Sequence, residues 1–285
     1  MEDRKALARF ITTMVIFGTI GIFRRWIPVS SAFLAFVRGL IGSMFLLLFS
    51  RSRRQDTDHT IPLKQKLLWF GIPGIFIGLN WVLLFEAYRY TSVPVATLCY
   101  YMAPTIVILL SPLVFKEKLT SKKLLCAVTA VIGMILISGV FSNHDNTGLT
   151  GIVLGLGAAL LYSMVIMVNK KAPQADVYEK TTIELAAAAA ILFPYILLSE
   201  GFSLTGMTLP AVMLIITVGI VHTGVAYALY FASIPALKAQ TAALFSYIDP
   251  VTALLLSALL LHEPLTGSGI IGAVLILGSA IVSEL

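Results

Sequence analysis

The sequence predicts an all-α integral membrane protein of ten transmembrane helices, built as two inverted five-helix repeats. Three observations lead there. Of 285 residues, 58% are hydrophobic and only 12% charged, against roughly 45–50% apolar and about 25% charged in ordinary soluble domains. Apolar stretches of ~20 residues, enough for one helical crossing, recur ten times. The second half also repeats the first at a shift of 146 residues.

The first span, about 6–23, follows Arg4, Lys5 and Arg9 as a secretory leader would. No small-residue cleavage motif follows it, and Arg24-Arg25-Trp26 comes next, so it reads as a retained helix. Span two, 31–50, contains Arg38. The longest connection, "RSRRQDTDHTIPLK" (51–64), is polar and too short for a soluble catalytic domain. Span three, 66–88, carries Asn80, Trp81 and Glu86, and span four, 92–115, carries Tyr100, Tyr101 and Pro104. Span five is 122–141 and span six 149–169; span seven, 179–199, holds Glu184. Span eight, 208–233, has His222 at its middle; span nine, 237–261, contains "FSYIDPV" (245–251); span ten is 266–284. The pairs Gly74/Gly78 and Gly151/Gly155 match the G-x-x-x-G pattern of close helix approach.

A formal charge of +6 in a soluble chain would point to nucleic acid, but here the placement of Lys and Arg encodes orientation. Of the 20 basic residues, Arg38 lies inside a span, Arg24, Arg25 and Arg89 fall on one side, and the other 16 fall on the opposite side. Both termini are therefore expected in the cytoplasm of a multi-pass cell-membrane protein. Cys99 and Cys126 sit within spans as small apolar groups. No metal motif or cofactor motif is present, and no nucleic-acid partner is expected.

At the 146-residue shift, 13 of the 33 positions in 96–128 equal their partners in 242–274, including Tyr101/Tyr247 and Pro104/Pro250. "EKLT" (117–120) likewise answers "EPLT" (263–266). The repeats divide the chain at 1–145 and 146–285. Each half has five spans, an odd number, so the second enters the membrane from the opposite face. The segments "YRYTSVPVATLCYYMAPTIVILLSPLVFKEKLT" (88–120) and "ASIPALKAQTAALFSYIDPVTALLLSALLLHEPLT" (232–266) resemble the two copies of the EamA domain of the drug/metabolite transporter superfamily. That resemblance implies a ten-helix carrier with a central cavity between the halves, and export of amino acids or other small metabolites.

The residues themselves mark the same depth. Pro250 frees the carbonyl of Ser246, and Pro104 frees that of Tyr100, by removing the N–H each would bond. Freed backbone at mid-span requires a polar surrounding or a water-filled cavity. Asp249 costs roughly 2.5–3.5 kcal/mol to insert there, and is expected to bind a cationic group of the substrate or the coupling proton. The alternative is a hydrogen bond to a neighbouring helix. His222, with a reference pKa near 6.5, is a second candidate for proton exchange or a core histidine. Asn80 and Trp81, with Tyr100, Tyr101 and Tyr247, could form an aromatic wall for rings or an organic cation, or simply helix packing. Glu86 is a gating candidate whose pairing with Arg89 at i,i+3 is an adequate structural account. Arg38 and Glu184, mates under the shift, read as structural or gating. Glu117 and Glu263 read as bonding the next helix start at Thr120 and Thr266, both good N-caps.

The function expected is a secondary active transporter of a small metabolite, an amino acid or related amphipathic compound, acting outward across the plasma membrane with proton coupling. Its partners are the small-molecule substrate, membrane lipid and the coupling proton, and the chain acts as monomer or homodimer. A carrier of small organic cations is the alternative. No G-x-x-x-x-G-K-[ST] loop is present to bind ATP. An intramembrane enzyme is the distant alternative, since H-E-x-x-H, G-x-S-x-G and a second midplane carboxylate partner for Asp249 are all missing.

Overall fold

Helix starts are set by short side chains. Ser30, Ser92, Thr120, Asp176, Thr208 and Thr266 each accept a hydrogen bond from a backbone N–H three residues on, at 2.8–3.4 Å, satisfying a donor that the helix leaves free. Two of these caps recur at the repeat shift, Ser30 with Asp176 and Thr120 with Thr266. So do the helix ends at Lys116 and His262, whose φ of 57° and 55° are the left-handed values found among the described non-glycine residues.

The computed structural model describes residues 4–52, 61–116, 119–138, 146–173, 175–199, 207–233, 236–237, 245–263 and 266–284. Arg53, Arg54, Glu117, Lys118, Lys238 and Pro264 lie outside the described residues. Span one forms as α1 (Arg4–Gly18) and α2 (Ile20–Trp26), span two as α3 (Ser31–Ser52) and span three as α4 (Leu63–Tyr90). Span four is α5 (Val93–Tyr100) and α6 (Ala103–Phe115), followed by α7 (Ser121–Ser138), α8 (Asn146–Lys171) and α9 (Val177–Ser199). Span eight is α10 (Leu209–Thr217), a π-helical segment (Val218–Val225) and α11 (Ala226–Ser233); α12 (Ile248–Leu260) and α13 (Gly267–Glu284) complete ten columns. Among the described residues seven columns are long and apolar enough to cross a membrane, and α12 and α13 are shorter apolar helices.

The columns pack in an order that the repeat shift interchanges. Helix α4 lies on α9, as the π segment lies on α3; α4 lies on α8, as α11 lies on α1; α6 lies on α8, as α12 lies on α1. The α3–α9 and α7–α13 pairs map onto themselves. Small residues permit the closest approaches: a Cβ on Gly78 would stand 3.0 Å from the Ala188 carbonyl, and one on Gly151 would stand 2.7 Å from Thr91 Cβ. Inside, Leu34, Leu46, Phe85, Leu185 and Leu192 are fully enclosed, while Leu48, Leu113 and Leu198 are among the exposed side chains of an apolar outer belt. Such a belt is stable in hydrocarbon.

Candidate functional site

Four columns lose regularity at mid-length, each for a local reason. In α1–α2 the break falls at Thr19, whose hydroxyl lies 2.7 Å from the Ile16 carbonyl beside Gly18, pressed against Asp249 and Thr252 of α12. Between α5 and α6 the chain turns at Tyr101 and Met102, just before Pro104. The Met102 N–H tightens to a three-residue bond with Cys99 O at 3.1 Å. Helix α12 starts after Tyr247, with Asp249 and Pro250 in its first turn. The fourth column carries the π segment, a rarity that favours functional sites.

These breaks gather polar side chains. His222 is buried in the π segment, with Nε2 2.7 Å from Thr19 Oγ1 and its ring edge-on to Phe23 at 4.6 Å. Thr19 has one hydroxyl proton for two acceptors, Ile16 O and His222 Nε2, so the ring's protonation decides which it serves. His222 Nδ1 is buried without a well-formed hydrogen bond. The adjacent Thr223, fully buried, accepts from Arg38 Nε at 2.8 Å and donates to Val218 O at 3.2 Å. The Arg38 guanidinium lies 4.1 Å from the centre of the Trp81 ring and 5.8 Å from that of Phe85.

Asp249 stands on the other wall. Its Oδ2 accepts a hydrogen bond from Tyr101 Oη at 2.7 Å, and its place in the first turn of α12 sets it where a helix favours negative charge. Tyrosine rings continue the wall: Tyr101 to Tyr247 at 6.5 Å, Tyr101 to Tyr100 at 6.1 Å, Tyr100 to Tyr162 at 5.3 Å. Asp249 and Arg38 are within electrostatic range of one another, yet no ion pair joins either to a partner among the described residues. A carboxyl and a guanidinium are thus held mid-bundle by neutral hydroxyls.

The structure brings Asp249, Tyr101, Tyr100 and Tyr247 together, and His222 lies across the breaks from Thr19. Trp81 belongs to the Arg38 side rather than to the tyrosine wall. Asn80 is turned away: its amide donates to Ala158 O at 2.5 Å, fastening α4 to α8. Glu86 holds Arg89 at 3.0 and 3.1 Å near the end of α4. Glu184 lies 3.9 Å from Lys180 and has a buried oxygen without a hydrogen-bond partner. Sequence reasoning did not assign Arg38, Thr19, Thr223 or Tyr162 to the site. An arginine inside an apolar span was the available signal for the first; the others are polar residues common in helices. Glu263 also departs from expectation: it accepts from Val93 N at 3.0 Å, from Ser257 Oγ and from Arg25 at 3.0 Å, so it caps α5 across the bundle rather than α13. Among the described residues no cluster of His, Cys, Asp and Glu could hold a metal.

The profile of the EamA-like transporter family matches residues 4–139 and again 149–284. The chain is 30% identical over 258 residues to the uncharacterized transporter YxxF of Bacillus subtilis (strain 168), covering 90% of this chain and 81% of that one. An uncharacterized transporter of Archaeoglobus fulgidus is 28% identical over 277 residues, covering 97% and 95%. One crystal structure, at 19% identity, matches the fold with a TM-score of 0.68 over 98% of both chains.

Proposed function

The chain belongs to the EamA-like transporter family, and we propose that it is a secondary active carrier that binds a small zwitterionic or amphipathic metabolite, an amino acid or a related compound, between its halves. The halves, 1–145 and 146–285, act as inverted repeats, a reading supported by the interchange of helix contacts and caps at the 146-residue shift. Two packings related by that symmetry would open the site to either face in turn. Transport runs outward across the plasma membrane, with both termini cytoplasmic. It is coupled to protons exchanged at Asp249, with His222 and Thr19 as the second exchange point.

One observation carries this reading: Asp249 and Arg38 lie within electrostatic range of one another mid-bundle, each bonded to a neutral hydroxyl and neither in an ion pair among the described residues. A zwitterion supplies both counter-charges, its ammonium to Asp249 and its carboxylate to the planar Arg38 fork. An organic cation is the second reading, favoured by the tyrosine wall around Asp249 but opposed by Arg38.

Counterflow in proteoliposomes tests it. Labelled amino acids should exchange against an unlabelled internal pool, saturably, and Arg38→Gln should abolish that exchange in a carrier that still purifies as a folded protein. Exchange of organic cations alone, unaffected by Arg38→Gln, would overturn the zwitterion reading.

A further inference from the structure

A second polar space lies away from the midplane, at the end of the bundle where α2, the loop 27–30 and the end of α4 meet. It is a cavity of about 630 Å³ lined by Arg24, Arg25 and Arg89, with Tyr88 and the loop residues Ile27, Pro28, Val29 and Ser30. Its volume falls in the range of small-molecule sites. Its cationic residues are the three that the sequence sets apart from the other 16 in connecting segments.

Their charges are unequally compensated. Arg89 is held by Glu86 and Arg25 by Glu263. Among the described residues Arg24, 5% exposed, donates only to neutral acceptors, Nη1 to Ile27 O at 2.9 Å and Nη2 to Ser31 Oγ at 3.1 Å, and Nε has no partner; Glu86, already engaged by Arg89, acts on it only at longer range. A buried guanidinium with no carboxylate in contact, beside a cavity, is stabilised by an anion in that cavity. Ile27, Pro28 and Val29 give the wall its apolar part, beside Ser30 and Tyr88, whose hydroxyl lies 3.3 Å from that of Thr97.

We propose that this vestibule is a binding site for amphipathic anions, separate from the midplane site. Arg24 and Arg89 form the cationic wall for a carboxylate or phosphate group, and Ile27, Val29 and Tyr88 take the apolar part. Arg89 is available by exchange, because an incoming anion replaces Glu86 as its partner. The same chemistry has two sources: a free organic anion or an anionic lipid headgroup. We assign it to the free anion, because a space of about 630 Å³ has the volume of a small-molecule site.

The probe is 4-fluorobenzoate, followed by 19F NMR line broadening on the full-length protein in nanodiscs of zwitterionic lipid. Saturable broadening is expected. It should weaken about tenfold with Arg89→Gln, weaken likewise with Arg24→Gln if that variant folds, and strengthen with Glu86→Gln. Gly71→Ala, whose added Cβ meets nothing within 4 Å, should leave it unchanged. Three results overturn the proposal: no saturable broadening, broadening insensitive to Arg89→Gln, or loss with Arg38→Gln alone, which assigns the anion to the midplane. A second set of nanodiscs containing phosphatidylglycerol separates the sources. Unchanged probe binding supports a free anion, and displacement at a few mole per cent overturns it in favour of lipid.

Discussion

At the scale of residues, the site depends on neutral groups holding charged ones. Tyr101 and Thr223 hydrogen-bond Asp249 and Arg38 without supplying a counter-charge, which on the proposed reading leaves each group for substrate or proton. Asp249→Asn retains the hydrogen bond from Tyr101 and loses the titrating group. Its proteoliposome counterflow is therefore expected to show a raised KM and a weaker dependence on pH, measured as initial rate, with the remaining dependence assigned to His222. Arg38 is stacked on Trp81 at 4.1 Å, an arrangement worth about 2 kcal/mol or more when desolvated. Trp81→Leu should thus weaken apparent affinity for a carboxylate-bearing substrate by roughly tenfold, seen as a rise in KM with little change in maximal rate. His222→Gln keeps a side chain able to meet Thr19 but cannot carry a proton; a shifted pH profile is expected, and an unaltered one would assign His222 to packing.

At the scale of elements, close approach matters more than amphipathic patterning. The π segment packs on α3 through glycines: a Cβ on Gly219 would lie 2.7 Å from Ile41 Cβ, and one on Gly224 would lie 2.6 Å from the Phe45 ring. Overpacking of this kind costs typically 1–3 kcal/mol. Gly224→Ala should lower the melting temperature and the transport rate together, because Gly224 adjoins Thr223, the acceptor of the Arg38 bond. Gly71, in the same protein, has nothing within 4 Å of an added Cβ. Gly71→Ala should be neutral or stabilising by up to about 1 kcal/mol, as alanine is in a helix interior.

At the scale of the whole molecule, the arrangement of basic residues makes a topological prediction. Cys99 and Cys126 are buried, so background labelling is low. Pro28→Cys and Lys64→Cys, both at exposed positions, should react with a membrane-impermeant maleimide from opposite faces, Pro28→Cys from outside intact cells. Labelling of both from one side would contradict the orientation drawn from Lys and Arg counts.

Helix positions were readable because a crossing needs a minimum apolar length, and that length is a property of consecutive residues. The repeat and the family were readable from spaced identities such as Tyr101/Tyr247 and Pro104/Pro250, and the mid-span breaks from proline's missing donor. Which face of each helix looks inward was not readable. Lipid and protein interior are equally apolar, so Leu198, 86% exposed, and Leu192, 1% exposed, are written alike on α9. The sequence by itself determined ten apolar stretches in two repeats of a transporter family, with a carboxylate beside a mid-span proline. Only tertiary structure decided that Arg38 meets Thr223, 185 positions away, that Thr19 meets His222, 203 away, and that Asn80 turns to Ala158 instead. Such contacts depend on how columns pack around one another, which no local period records.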